Sequence, residues 1–480
     1  MEKKTDISRT TRLGTESVPK LILMMALPAI LGNLMSAAYN IIDRMFVGRF
    51  VGSDALAAIA VLFPLTNVTT ALSLFMSIGG AAMLSISLGA KDQAKADRVF
   101  TNVIIQAIVS GGLLALTYGL FTPSLVALCG AAPGTELHTM AVSYLRITSA
   151  GQIFLMLNIA FASTIRAQGN IRYAMFASVI GGFLSVTLDS ILVGRLGFGI
   201  RGAAISTFSS QFISGFIGFL FFVRGKSVVK WAGFRVVHIR FIFSIIVMGM
   251  APSTLQALSF VTNMFINRSL MYYGGLELAR GGSLAIAAVS VTATVESFLL
   301  TIIMGVNQAI SPVISYNYGS GATQRVRQAT LFGQALATGA SLLVWALMMF
   351  TPQTLFHLFN ANDAELVAFG VRAMRISKCG VFVLGFQTLA SMFFSATGRP
   401  KRAVLISISR QGAFLIPALL LFPRIWGVTG VAAANAFSDF CSVIVVGLIY
   451  SSEIRALARQ RRTEVEGGGP PKAAEAPGAV

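Results

Sequence analysis

The sequence predicts an all-α polytopic membrane protein with twelve transmembrane helices in two like-oriented six-helix lobes. Three observations carry this: long windows without charge, a one-sided distribution of basic residues, and a chain that repeats itself. Of the 480 residues, 55% are hydrophobic and only 11% are Asp, Glu, Lys or Arg, against ~25% charged in an ordinary soluble domain. A soluble fold of this length needs a charged surface that this chain lacks, so a soluble enzyme is excluded. Residues 55–90, 99–135, 241–267, 297–324 and 328–362 contain no charged side chain. Each window exceeds the ~20 residues that cross a bilayer.

Divided at Gly, Pro and charge clusters, the chain yields spans over 21–43, 55–88, 98–122, 138–162, 172–194, 201–223, 241–267, 282–315, 327–350, 366–390, 402–422 and 428–451. The first twenty residues, with Lys3, Lys4, Arg9, Arg12 and Lys20, lead into a segment long enough to span. They read as a cytosolic tail, not a cleaved leader. The N-lobe is expected over 21–223, a basic cytoplasmic inter-lobe loop over 224–240, and the C-lobe over 241–452. A cytosolic, largely disordered tail is expected over 453–480, where GGGPPKAAEAPGAV from Gly467 is low-complexity. With both termini inside, 25 of the 37 basic residues face the cytoplasm and 7 the outside, the bias that orients such proteins. That bias accounts for the formal charge of +19 without nucleic acid. Cys129, Cys379 and Cys441 lack any paired spacing for metal or redox chemistry. The phosphate-binding pattern GxxxxGK[ST] is absent, which argues against direct ATP use.

Self-comparison organises the spans. AQGNIRYA (167–174) matches ATGRPKRA (396–403), and GIRGAAISTFSSQF (199–212) matches GVTGVAAANAFSDF (427–440). SLGAKDQAKADRV (87–99) aligns with NYGSGATQRVRQA (317–329), and TELHTMAVSYLRI (135–147) with DAELVAFGVRAMRI (363–376). The first span aligns more weakly, 27–43 on 251–267. Six helices per repeat leave both halves in the same orientation, related by an axis along the membrane normal. Two such bundles are the usual architecture of an alternating-access transporter.

Ionisable residues inside spans are costly and mark function by default. Asp43 ends the first span, and Asp189 lies in the fifth with Ser185 one turn before it on the same face. Asp189 and Thr207 sit nine residues either side of Phe198 in the turn between spans five and six, hence at equal depth in a hairpin. Two carboxylates and nearby hydroxyls at one level suit a hard cation, giving a Na⁺ site at Asp43, Asp189 and Thr207. Equally, one buried carboxyl could carry a proton. The repeat mates of Asp43 and Asp189 are Asn267 and Ala418, which assigns the coupling-ion site to the N-lobe alone. Glu296 could serve a cationic substrate as counter-charge or pair with a nearby Arg. Arg410 and Asp439 are expected to form an intramembrane structural pair. Met35, Phe154, Asn158 and Gln387 join Glu296 as candidate cavity residues, because flexible Met and flat aromatics suit varied apolar cations. Pro28 and Pro252, mates in the first helix of each lobe, are either hinges or static kinks.

YNIIDRMFVGRFVG (39–52), SDALAAIAVLFPLTN (53–67), RAQGN (166–170), GVNQAISPVISYNYG (305–319) and SRQGAFLIP (409–417) resemble the multidrug and toxic compound extrusion (MATE) family. The resemblance is closest to its bacterial MepA-like branch and covers residues 20–452. It implies a twelve-helix, two-lobe antiporter that needs no cofactor, works as a monomer in the bacterial plasma membrane, and exports cationic, amphipathic drugs in exchange for Na⁺ or H⁺. It also implies an N-lobe cation site on Asp43, Ser185, Asp189 and Thr207; relatives often carry Asn where this chain has Ser185. The rival readings are a flippase for a lipid-linked saccharide, whose cavity should hold several cations for a pyrophosphate, an exporter of one endogenous metabolite, and a non-transporting receptor.

Overall fold

The computed structural model describes residues 10–278, 281–360 and 363–467. The basic residues Lys3, Lys4, Arg9, Arg280 and Lys472, and the tail from Gly468 onward, lie outside these. Among the described residues, ten helices are long and apolar enough to cross a bilayer. One further span is bent by 47° between Ala364–Ser377 and Val381–Ala396. The longest helical stretch breaks at Trp426 and Gly427, whose backbone is not helical, and so supplies two spans. Twelve result: α1 (Val18–Phe50), α2 (Phe63–Gly89, led by the short helix Ser53–Val61), α3 (Gln93–Leu120), α4 (Glu136–Ala167), α5 (Ile171–Arg195), α6 (Gly199–Val223), α7 (Ile239–Glu277), α8 (Gly282–Gly319), α9 (Thr323–Phe350), the bent α10, α11 (400–425) and α12 (428–467).

The sequence repeat reappears as repeated contacts. Thr135 caps α4 by accepting from His138 N at 3.2 Å, and its mate Asp363 caps α10 by accepting from Leu366 N at 3.1 Å. Ser85 of α2 donates to Ala167 O at 2.8 Å, and Ser315 of α8 donates to Ala396 O at the same distance. Short helices absent from the expected spans follow α3 (Thr122–Leu128) and α9 (Pro352–Asn360) at matching places. Each lies in the same charge-free window as the span before it, so hydrophobicity alone did not separate it.

We call the end of the bundle holding the start of α1 the proximal face. There the two lobes touch. Every described glycine that makes room for the opposite lobe lies in a proximal half: Gly79, Gly89, Gly249, Gly305 and Gly319. A Cβ on Gly89 would strike Tyr316 O, and one on its mate Gly319 would strike Ile86 O. A Cβ on Gly79 would strike Ile245 O, one on Gly249 Phe75 O, and one on Gly305 the backbone of Ile30. Small residues admit such backbone-to-backbone packing in apolar surroundings.

α1 and α7 therefore belong to both lobes. Leu21, Ile22, Met25 and Ala29 of α1 are buried with Ile310 and Val313 of α8 and Phe393 of α10, whereas Gly32 packs on Met175 and Tyr39 on Gly182, both of α5. In α7, Ile245 and Gly249 pack on α2, Ser253 donates to Ala71 O at 3.0 Å, and Gln256 donates to Asn67 Oδ1 at 3.3 Å. One turn on, Ser259 accepts from Gln411 of α11 at 2.8 Å. Pro28 and Pro252 sit just before these crossovers, inside helices that run through them unbroken.

One tail expectation needs adjusting. α12 continues to Gly467, so residues 453–467 are helical; Glu453 is held by Arg399 and Arg402 from the start of α11, an anchor that composition did not reveal. The inter-lobe loop is pinned to the N-lobe, Lys230 N donating to Asp97 Oδ1 at 2.9 Å and Ala232 N to Thr101 Oγ1 at 2.9 Å.

Gly305→Leu should lower stability by about 1–3 kcal/mol through overpacking. Gly112→Leu, where a Cβ meets nothing within 4 Å, should not. Thermal unfolding of both in detergent tests the crossing; equal melting temperatures would refute it.

Candidate functional site

Asp43 lies in the distal half of α1, Asp189 at the distal end of α5, and Thr207 in α6. The carboxyls of Asp43 and Asp189 are neighbours. Asp189 is fully buried, and neither of its oxygens has a hydrogen-bond partner; Asp43 Oδ1 is likewise buried and unpaired. The nearby hydroxyls are engaged elsewhere. Ser206 donates to Ser185 O at 2.8 Å, and the two serine hydroxyls lie 3.3 Å apart. Thr207 Oγ1 is 3.5 Å from the Tyr144 hydroxyl, and Tyr144 feels the charge of both acids.

Unpaired buried carboxyls are rare, because an ion removed from water without compensation costs several kcal/mol. Two like charges ~4 Å apart repel by about 4 kcal/mol at an effective dielectric constant near 20. Arg44 acts on Asp43 through its charge but forms no ion pair with it among the described residues, so the pair still favours a further positive partner, either a shared proton or a cation taken up among oxygens. The donor set is all oxygen, which suits a hard cation. Immediately after Asp189, α5 departs from α geometry as a π-helix over Ser190–Arg195, a distortion frequent at functional sites.

Sequence reasoning named Asp43, Ser185, Asp189 and Thr207, and missed Tyr39, Tyr144 and Ser206. Tyr39 is one turn before Asp43 on the same face, and Ser206 adjoins Thr207, so both had a readable signal. Tyr144 comes from α4, which no spacing links to α5 or α6.

The C-lobe is built differently. Glu296 of α8 accepts from Lys378, at the bend of α10, with 2.5 Å between Oε2 and Nζ. Arg410 Nε donates to Asp439 Oδ1 of α12 at 2.8 Å, and the Arg410 charge also acts on Glu296. Arg410 occupies a second π-helical stretch, Ser409–Leu415. Four charges on four helices thus balance. The partner of Glu296 is a lysine rather than the arginine entertained above.

The remaining candidates fall in separate places. Phe154 of α4 meets Phe208 and Phe212 of α6 edge-on, with ring centres 5.8 and 4.9 Å apart, and Asn158 one turn on faces Gly215. Gln387 is buried inside the C-lobe and donates to Ser442 Oγ at 2.5 Å and Asp439 O at 3.2 Å. Met35 is about half exposed on α1. The structure thus assembles Asp43, Ser185, Asp189 and Thr207 in one lobe and Glu296, Arg410, Asp439 and Gln387 in the other.

A family model described as MatE matches residues 28–191 and 259–420, one stretch in each lobe. The multidrug export protein MepA of Staphylococcus haemolyticus is 25% identical over 440 residues, covering 91% of this chain and 94% of that protein. MepA of Staphylococcus saprophyticus is 26% identical over 441 residues, covering 90% and 94%. Among solved structures, MATE in complex with MaL6 superposes with a TM-score of 0.84 at 23% identity, covering 93% of this chain and 99% of that one. An outward-facing multidrug resistance MATE family transporter of the MOP superfamily gives 0.84 at 24% identity, covering 93% and 98%.

Asp439→Asn strands the Arg410 cation and should cost about 3–5 kcal/mol, whereas the double change Arg410→Met, Asp439→Leu should recover most of it. Thermal unfolding of the two variants provides the comparison.

Proposed function

The chain belongs to the MatE family, whose members are transporters and not enzymes, and from that premise we propose that it is a secondary antiporter. It exports cationic, amphipathic compounds across a bacterial inner membrane, driven by Na⁺ or H⁺. The observation that carries this reading is the acid pair itself: the fully buried Asp189, with neither oxygen hydrogen-bonded, beside the partly buried Asp43, whose Oδ1 is also buried and unpaired. The export activity named for the MepA relatives agrees with it. The proximal face is the cytoplasmic one, since the basic inter-lobe loop and both ends of the described chain lie there.

Transport follows from differential binding. An ion does work only if it binds one conformation better than the other. The closed proximal face and the position of the acid pair in the distal half support an outward-facing reading, in which the coupling ion would reach Asp43 and Asp189 from outside. Neutralising the pair removes the repulsion between the two carboxylates and stabilises the conformation in which the ion is bound. Return to the inward-open state parts the two lobes at the proximal face, with α1 and α7 bending at their crossovers. Pro28 and Pro252 lack the amide hydrogen that would complete the helix, and they weaken each helix next to its crossover, where bending is needed. In the C-lobe, an organic cation would engage Glu296 by displacing Lys378, with Met35, Phe154 and Asn158 contributing to the wall on the N-lobe side.

Efflux of a fluorescent organic cation from proteoliposomes, with Na⁺ and pH gradients imposed separately, tests the reading. One gradient should drive export, and Asp43→Asn or Asp189→Asn should reduce it about tenfold or more, ~1.4 kcal/mol, with normal membrane insertion. A response to neither gradient would overturn antiport. Lys378→Met leaves Glu296 uncompensated and should lose about 3–5 kcal/mol of stability. If the site takes cations, added organic cation should raise the melting temperature of this variant more than that of the parent.

A further inference from the structure

Ahead of α1, residues 10–15 form a short helical turn packed into the proximal face. Leu13 is 1% exposed and lies within the C-lobe core. Its carbonyl accepts from Asn317 Nδ2 at 2.8 Å and from Arg325 Nη2 at 3.2 Å. The same Arg325 nitrogen donates to Glu16 O at 2.6 Å, while its Nε donates to Asn317 Oδ1 at 2.9 Å. Gly14 sits against the Tyr316 ring. On the other side, Thr10 Oγ1 donates to Gln168 O at 3.0 Å, and Gln168 belongs to the α4–α5 turn of the N-lobe. One segment thus grips both lobes where they meet. We infer that Thr10–Glu16 is a latch, clamped by Arg325 and Asn317, that holds the proximal face shut and sets the balance between outward- and inward-open states.

The argument rests on connectivity and on hydrogen-bond accounting. The latch runs directly into α1, whose proximal half already packs on the C-lobe while its distal half carries Asp43 in the N-lobe. Opening the proximal face moves Gln168 away from the α8–α9 turn, so the Thr10 bond must break while the Arg325 fork survives. A planar guanidinium holding two carbonyls and an amide is geometrically exacting, and lysine cannot reproduce it. The repeat supports specificity. The mates of Asn317 and Arg325 are Ser87 and Lys95, and Lys95 uses its backbone N to complete the Asp92 cap at 2.9 Å instead. Each lobe's leading segment nevertheless docks on the opposite side of the pseudo-axis, for the inter-lobe loop that leads α7 lies on the N-lobe.

The inference rests on the two-state reading above, so the test separates them. Ala94 and Gln324, exposed repeat mates in the first turn of α3 and α9, are changed to spin-labelled cysteines after Cys129, Cys379 and Cys441 are replaced by serine. Pulsed dipolar spectroscopy of the full chain in nanodiscs then reads the proximal separation. The otherwise unaltered latch should give mostly short distances, with a longer population that responds to pH or Na⁺. Thr10→Val, which removes only the N-lobe bond, and Arg325→Gln should each raise the long-distance fraction threefold or more under one fixed condition. Longer distances that never appear in any variant or condition would overturn alternating access itself. A long-distance fraction that responds to pH or Na⁺ but is unchanged by both substitutions would overturn the latch alone. Thr10→Val guards against misfolding in Arg325→Gln, since it leaves Leu13 and the Arg325 fork in place.

Discussion

The structure depends on two helices that are each shared by both lobes. α1 and α7 begin packed on one lobe and finish in the other, and the exchange is possible only because Gly79, Gly249 and Gly305 let backbones meet without side chains between them. Within lipid there is little hydrophobic gain from helix association, so close packing and the polar contacts it permits must supply it. Ser253 to Ala71 and Gln256 to Asn67 are such contacts. From this arrangement follow the closed proximal face and the placement of both prolines next to the crossovers.

The lobes share a backbone plan and differ in charge. Where the N-lobe carries Asp43 and Asp189, the C-lobe carries Asn267 and Ala418. Where the C-lobe carries Glu296, Lys378 and Asp439, the N-lobe carries Asn67, Ser149 and Gln211. One lobe therefore holds an acid pair with no ion-pair partner among the described residues, only the charge of Arg44 acting on Asp43, and the other a set of charges that satisfy one another. A balanced cluster gains little from a passing cation and an unbalanced pair gains much, so the N-lobe pair takes up an ion directly, whereas a cation reaches Glu296 only in exchange for Lys378. Both clusters adjoin π-helical stretches, Ser190–Arg195 and Ser409–Leu415, where the backbone is already irregular.

Much of this was legible in the sequence, because a bilayer leaves few solutions. Charge-free windows marked the spans, and the repeat set their grouping; the family match in two blocks agrees with that division. The acids were legible since a carboxylate among apolar residues is conspicuous. What escaped was anything decided by a distant element. Tyr144 reaches the acids from α4, Lys378 reaches Glu296 only because α10 bends by 47°, and Leu13 is buried by the α8–α9 turn. The extent of α12 escaped for the same reason: Glu453 is anchored by Arg399 and Arg402, some fifty residues earlier.

The mutual fit of Gly89 with Tyr316 and of Gly319 with Ile86 has the form of an isologous contact, in which one surface meets its own equivalent. Such a contact needs only one kind of subunit. A six-helix chain bearing this turn would carry everything required to recognise a second copy of itself, both lying the same way up in the membrane. Fusion of the two copies would preserve the joint while freeing each half to diverge, and the joint is the place where the two halves still match most closely in geometry.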